Sequence, residues 1–246
     1  MSDTTTAQPP QLSSPTERDA VAPLWHTIIF VALILGLSSV QAARLPALEA
    51  HDRTEIYLSG MALEVVLVLY VWLLGLRPRH RRLIDLIGGK WSRPADVLQD
   101  IAVALLFWCV VIGFLVTMHL ILGNNATATR AITMLLPRTA VEMIAFVTLS
   151  VTAGFCEEFL FRGYLQRQFF AWSGSVEVAV VLQALIFGIG HLYQGWKGAL
   201  TITLYGALFG ILAVMRKSLR PGMIQHMMQD SFTGIVGGLL IKHGRL

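Results

Sequence analysis

Three groups of polar residues interrupt apolar stretches in the second half of this 246-residue chain. The first is Glu157-Glu158-Phe159-Leu160-Phe161-Arg162, at the end of an apolar run that begins near Ala140. The second is Phe187-Gly188-Ile189-Gly190-His191, and the third is His226-Met227-Met228-Gln229-Asp230. An ionisable side chain at membrane depth costs at least about 2.5–3.5 kcal/mol, so its presence points to function. On a helix, Glu158 and Arg162 are i and i+4 with the acid N-terminal, the favourable order for an ion pair. Glu157 is rotated about 100° from Glu158, so Arg162 does not neutralise it in the same way. The economical assignment is a structural Glu158–Arg162 pair and a Glu157 left for chemistry. His226 and Asp230 are again i and i+4, a pair able to hold a metal or a polarised group.

A carboxylate and a histidine that converge in a low-dielectric cavity can share one water and take a proton from it. That water would attack a carbonyl, and His226 would stabilise the developing oxyanion. A second arrangement has Glu157, His191 and His226 ligating zinc, with one coordination position left for water. Both routes lead to amide hydrolysis. The chain has no GxSxG elbow and no HExxH, and no paired aspartates of an intramembrane aspartyl protease. Each group also has a plainer reading. The two glutamates fit a solvated face just past a span, His191 fits a helix-packing donor, and His226–Asp230 fits a satisfied structural pair.

The elements that must position these residues are membrane helices. The chain is 55% hydrophobic and 14% charged, against about 45–50% and about 25% in soluble domains. A bilayer core about 30 Å thick needs about 20 apolar residues in a helix. Runs of that kind lie at about 23–43, 56–76, 98–122, 138–158, 176–192, 198–215 and 222–241. The expected fold is therefore an all-α polytopic membrane protein of about seven transmembrane helices, with the polar cluster in the C-terminal four. Residues 1–22 read as a disordered polar tail. Residues 23–137 hold the N-terminal helices and a basic loop, and residues 138–246 hold the polar core.

The basic run Arg77-Pro78-Arg79-His80-Arg81-Arg82, followed by Lys90 and Arg93, marks a cytoplasmic loop. Arg216, Lys217 and Arg220 fall on the same side, as do Arg162 and Arg167, whereas residues 123–137 contain only Arg130. The N-terminus is then inside and the C-terminus outside, with 77–97 lying along the cytoplasmic interface. The net charge of +4 reflects such loops, and no nucleic acid partner is implied. Cys109 and Cys156 read as small buried apolar residues. Gly206 and Gly210 have the spacing that lets helices approach closely. Gly174, in the turn Ser173-Gly174-Ser175, stands midway between Glu157 and His191. An antiparallel hairpin through it puts both at one depth, roughly 25 Å from the turn. His226 counts as shallower, and reaches them only if that hairpin protrudes by about 10 Å.

Taken in order, Glu157-Glu158-x-x-x-Arg162, Phe187-x-x-x-His191 and His226-x-x-x-Asp230 resemble the motifs of the CPBP intramembrane proteases, also called the Abi or CAAX prenyl endopeptidase family. The resemblance covers roughly residues 140–240. It implies that Glu157 activates water with help from His191, and that Glu158, Arg162 and Phe187 support the site. It also implies that His226 and position 230 help hold the oxyanion. Members are described both as zinc-dependent and as using glutamate without metal. Position 230 is often Asn in the family, and here it is Asp230. An ionised carboxylate repels an oxyanion, so Asp230 must be protonated, orient His226 or bind a metal. The partners implied are membrane lipid and a protein or peptide substrate, including the case of a processed C-terminus. The expected location is a plasma or bacterial inner membrane. A non-catalytic membrane factor, in bacteriocin self-immunity or partner binding, is the competing reading, and a small proton-relay transporter is a third.

Overall fold

The computed structural model describes residues 19–44 and 52–244, and among these every regular element is a helix. In chain order they are α1 (Leu24–Arg44), α2 (Arg53–Tyr70), α3 (Leu83–Ile87), α4 (Pro94–Leu122), α5 (Ala126–Leu135), α6 (Ala140–Glu157), α7 (Gln166–Ser173), α8 (Val176–Ile189), α9 (Gly195–Arg216) and α10 (Arg220–Lys242). Local signals set their ends. Asp52 accepts a hydrogen bond from the Thr54 N–H, and Thr139 and Glu142 form a reciprocal capping box on α6. Gly174 closes α7 with a left-handed φ of 68°, and the Ser175 side chain caps α8. The expected turn at Ser173-Gly174-Ser175 is therefore the real one. The structure adds two π-helical turns, Val71–Leu76 after α2 and Glu158–Leu165 between α6 and α7.

Four helical stretches are long and apolar enough to cross a bilayer: Arg53–Arg79, Pro94–Leu122, Ala140–Ser173 and Leu192–Arg216. Leu24–Val40 and Val176–Ile189 are shorter apolar helices. A helix lies on each of the seven expected runs, but fewer than seven meet the length and hydropathy needed to span. The last run shows why. α10 carries Arg220, Gln225, His226, Gln229 and Asp230 on one helix, and these polar groups dilute its apolar character. The first 18 residues of the expected tail lie outside the described residues, as do 45–51. Val21 and Ala22, at the tail's inner end, are instead buried, and both backbone N–H groups donate to the Gln168 side chain.

Contacts at the two ends of the bundle fix the helix directions. At one end Arg53 and Tyr57 donate to the carbonyls of Met134 and Leu135, and Lys197 donates to that of Leu122. At the other end Asp100 is paired with Arg216 and Arg220, and the Leu219 N–H donates to Ile87. That second end gathers the basic loop. Trp91 donates to Asp100, and Arg167 donates to the Leu86 carbonyl, so α3 and residues 88–91 dock onto α7 and α10. Helices α2 and α6 therefore run side by side in the same direction, and α10 runs against them.

α6 and α10 pack closely because Gly154 presents no side chain. A Cβ there would stand 2.8 Å from the Met227 backbone nitrogen and 3.2 Å from the Met223 carbonyl. Overpacking of this kind costs about 1–3 kcal/mol. Gly154→Val is expected to lower the thermal midpoint and folded yield of detergent-purified protein. Gly113→Ala, in α4 where nothing lies within 4 Å, leaves both unchanged or slightly raised. A scan of the two variants beside the parent protein checks this.

Candidate active site

The polar cluster is built where the helix from α6 changes register. Its last α residue is Glu157, and the π-helical turn begins at Glu158. Single π turns inside longer helices recur at functional sites. Every residue of this one is buried, including Glu158 and Arg162. Arg162 Nη1 donates to Glu158 Oε1 at 2.9 Å, with side-chain exposures of 0% and 2%. The same guanidinium donates through Nη2 to the Gly206 carbonyl at 3.1 Å. Its carbon lies 4.4 Å from the Phe187 ring centre and 5.2 Å from that of Phe209. Desolvated charge is thus met by a carboxylate, a carbonyl and two aromatic faces.

Glu158 has a second partner. His226 Nδ1 lies 3.2 Å from the same Oε1. A carboxylate can only accept, so Nδ1 carries the proton and Nε2 is turned the other way. Nε2 stands 3.6 Å from Glu157 Oε2 and 3.6 Å from Asp230 Oδ2. That separation is just beyond a direct hydrogen bond and is one that a bridging water or a substrate oxygen spans. Glu157 and Asp230 are the open members of the group, with side-chain exposures of 22% and 39%. Edge contacts from Tyr205 and Phe209 hold the imidazole plane.

His191 sits just past α8, where its Nδ1 donates to the Phe187 carbonyl at 2.9 Å. That bond leaves its Nε2 as the free acceptor. Asp230 lies within electrostatic reach of His191 as well as of Glu157 and His226. Among the described residues no hydrogen bond or ion pair joins His191 directly to Glu157, and Asp230 is within electrostatic reach of both. Phe187 serves twice, as the face over Arg162 and as the acceptor that fixes the His191 ring. His226 reaches the depth of Glu157 because the helix continues through the π turn and α7 to Ser173, so the hairpin turn does protrude.

Glu157, Glu158, Arg162, His226 and Asp230 therefore meet, and His191 lies within electrostatic reach of Asp230. Among the described residues no group of three or more His, Cys, Asp or Glu side chains stands where it could hold a metal ion. One residue was not anticipated. Glu64, from α2, lies within electrostatic reach of Glu157, His226 and Asp230. Its signal in the sequence is that it is the lone acid deep in the apolar run 56–76.

Residues 139–232 match the family model of the Rce1-like type II CAAX prenyl endopeptidases. The matched segment is the one that carries the motifs resembling that family. It contains Glu157, Glu158, Arg162, Phe187, His191, His226 and Asp230, and Glu64 falls outside it. No curated protein and no solved structure matches the chain. Four apolar helices of spanning length, together with the match to a membrane-protease family, support an integral membrane protein.

Removing one member of a buried ion pair strands the other and costs about 3–5 kcal/mol, whereas an apolar replacement of both can be nearly neutral. Arg162→Met alone should therefore lower chemical-denaturation stability by that amount. Combining it with Glu158→Leu should recover most of the loss. Equal losses in the single and double variants would contradict a pair held by mutual compensation.

Proposed function

We propose that the protein is an intramembrane endopeptidase in which Glu157 takes a proton from a water that attacks the scissile carbonyl. The observation that carries this reading is the pair of 3.6 Å gaps joining His226 Nε2 to Glu157 and Asp230. They frame a position for one oxygen between a base and Nε2 of His226, which donates in the doubly protonated imidazolium whose Nδ1–H is given to Glu158. His226, held at Nδ1 by Glu158, supplies the group that stabilises charge on the carbonyl oxygen. Asp230 orients and balances His226 and does not itself hold the oxyanion. His191, its Nδ1 tied to Phe187, offers Nε2 to the attacking water. No step is routed through zinc.

The seven apolar runs are proposed to cross the membrane with the N-terminus on the side of the basic loop. Residues 138–246 form the catalytic core, and residues 23–137 form a lateral wall. A cell membrane with its cytoplasmic face at Arg77–Arg82 is the setting this orientation requires. The family's printed name makes the C-terminal tail of a prenylated protein the first substrate class to test.

A test that needs no prior substrate compares peptide termini, by mass spectrometry, in membranes from cells expressing the parent chain or Glu157→Gln. General-base removal costs about 10²–10⁴-fold. New C-termini should appear with the parent chain and be lost with Glu157→Gln. Glu157 is partly exposed and makes no short contact, so its variant should fold to normal yield. Identical sets of termini from the two proteins at equal abundance would refute catalysis by Glu157 and favour a non-catalytic membrane factor.

A further inference from the structure

We infer that Glu64 is a second working carboxyl of the site, the group that delivers a proton to the leaving amine. The inference rests on the reading of Glu157 as the base. Its first support is register. α2 and α6 run in the same direction, and a Cβ on Gly60 would lie 3.5 Å from Leu149 Cδ1. Glu64 follows Gly60 by one turn, which carries it about 6 Å along α2. The same advance on α6 reaches Ala153, one turn short of Glu157. The second support is the electrostatic contact already noted with Glu157, His226 and Asp230, to which Cys156 on α6 adds a neighbour.

The third support is the state of its carboxyl group. Glu64 Oε2 is buried and has no hydrogen-bond partner among the described residues. A charge on an oxygen so placed is costly. More carboxyl groups than cations converge here. Glu158 has Arg162 and His226, and Glu157 and Asp230 face His226 Nε2. Glu64 lies within electrostatic reach of the same groups and its buried Oε2 has no donor among the described residues, so it is the carboxyl that a proton serves best.

The proton count then closes. Water loses a proton to Glu157 as its oxygen bonds the carbonyl carbon. The Glu64 carboxylic acid gives its proton to the leaving nitrogen as the C–N bond breaks. The proton on Glu157 then passes through cavity water to Glu64, and the net change is one water consumed for one amide cleaved. An acid from a separate helix frees Glu157 from serving both ends of the bond.

The test has two arms. The first is infrared difference spectroscopy of purified protein in detergent. The carbonyl stretch of a protonated carboxylic acid should be present in the parent chain and in Glu157→Gln, and absent in Glu64→Gln. The second uses reporter peptides ending in a prenylated cysteine motif, identical except that the scissile bond is an amide or an ester. Amide cleavage by Glu64→Gln should fall about 10²-fold or more. Ester cleavage should fall far less, because an alkoxide leaves with little help, and Glu64→Asp should restore part of the amide rate. An unchanged infrared band in Glu64→Gln, or equal losses on amide and ester, would overturn the inference. Full amide cleavage by Glu157→Gln would instead overturn the base assignment. If the parent chain cleaves neither peptide, the prenyl-tail assignment fails and the infrared arm decides on Glu64.

Discussion

The buried Glu158–Arg162 pair is the constraint on which the rest of this structure depends. A charge pair out of water is held where its remaining donors and acceptors find partners, and here both terminal guanidinium nitrogens do, while Arg162 Nε has none among the described residues. Here the partners come from separate helices. Gly206 on α9 lends its carbonyl, Phe187 on α8 lends a ring face, and His226 on α10 lends its Nδ1–H. Satisfying one ion pair therefore fixes the mutual position of α8, α9, α10 and the π turn. A by-product is a histidine whose second nitrogen is aimed at Glu157 and Asp230.

The close glycines serve the same end. A Cβ on Gly206 would stand 2.9 Å from Phe187 Cδ1 and 3.2 Å from Arg162 Nη2. The bare backbone at that point is what lets the guanidinium reach a carbonyl and an aromatic face together. The far end of the bundle holds α10 in register by other means. Asp100 receives Trp91 and is paired with Arg220, the first residue of α10. His226 lies less than two turns beyond that anchor, so the depth of the imidazole is set from the basic end of the molecule.

Much of this arrangement was legible in the sequence because it is periodic. The i, i+4 spacings of Glu158–Arg162 and His226–Asp230 predict shared faces, and both pairs meet. The symmetric placement of Glu157 and His191 about Gly174 predicts one hairpin, and the turn is there. What could not be read is tertiary. No local signal distinguishes a π turn at Glu158–Leu165 from α-helix. A depth count alone leaves His226 short of Glu157, because it does not show how far α7 carries the hairpin outward. Glu157 and His191, expected at equal depth to share a water, make no direct hydrogen bond or ion pair among the described residues, and both lie within electrostatic reach of Asp230. Glu64 escaped notice because a single acid in an apolar run has no partner in its own sequence neighbourhood, and its partners appear only when α2 lies along α6. At α10 the residues that build the site lower the helix's own hydropathy, so its apolar signal is weaker than that of the four long spans.

The claim that the ion pair aims His226 is open to direct measurement by nitrogen NMR of histidine-labelled protein in detergent, comparing the parent chain with Glu158→Gln. The account predicts a His226 Nδ1 proton that is hydrogen-bonded and slow to exchange in the parent chain, and that loses this protection in Glu158→Gln while the His191 signals stay in place. A His226 Nδ1 that exchanges freely in the parent chain, or is untouched by Glu158→Gln, would contradict it.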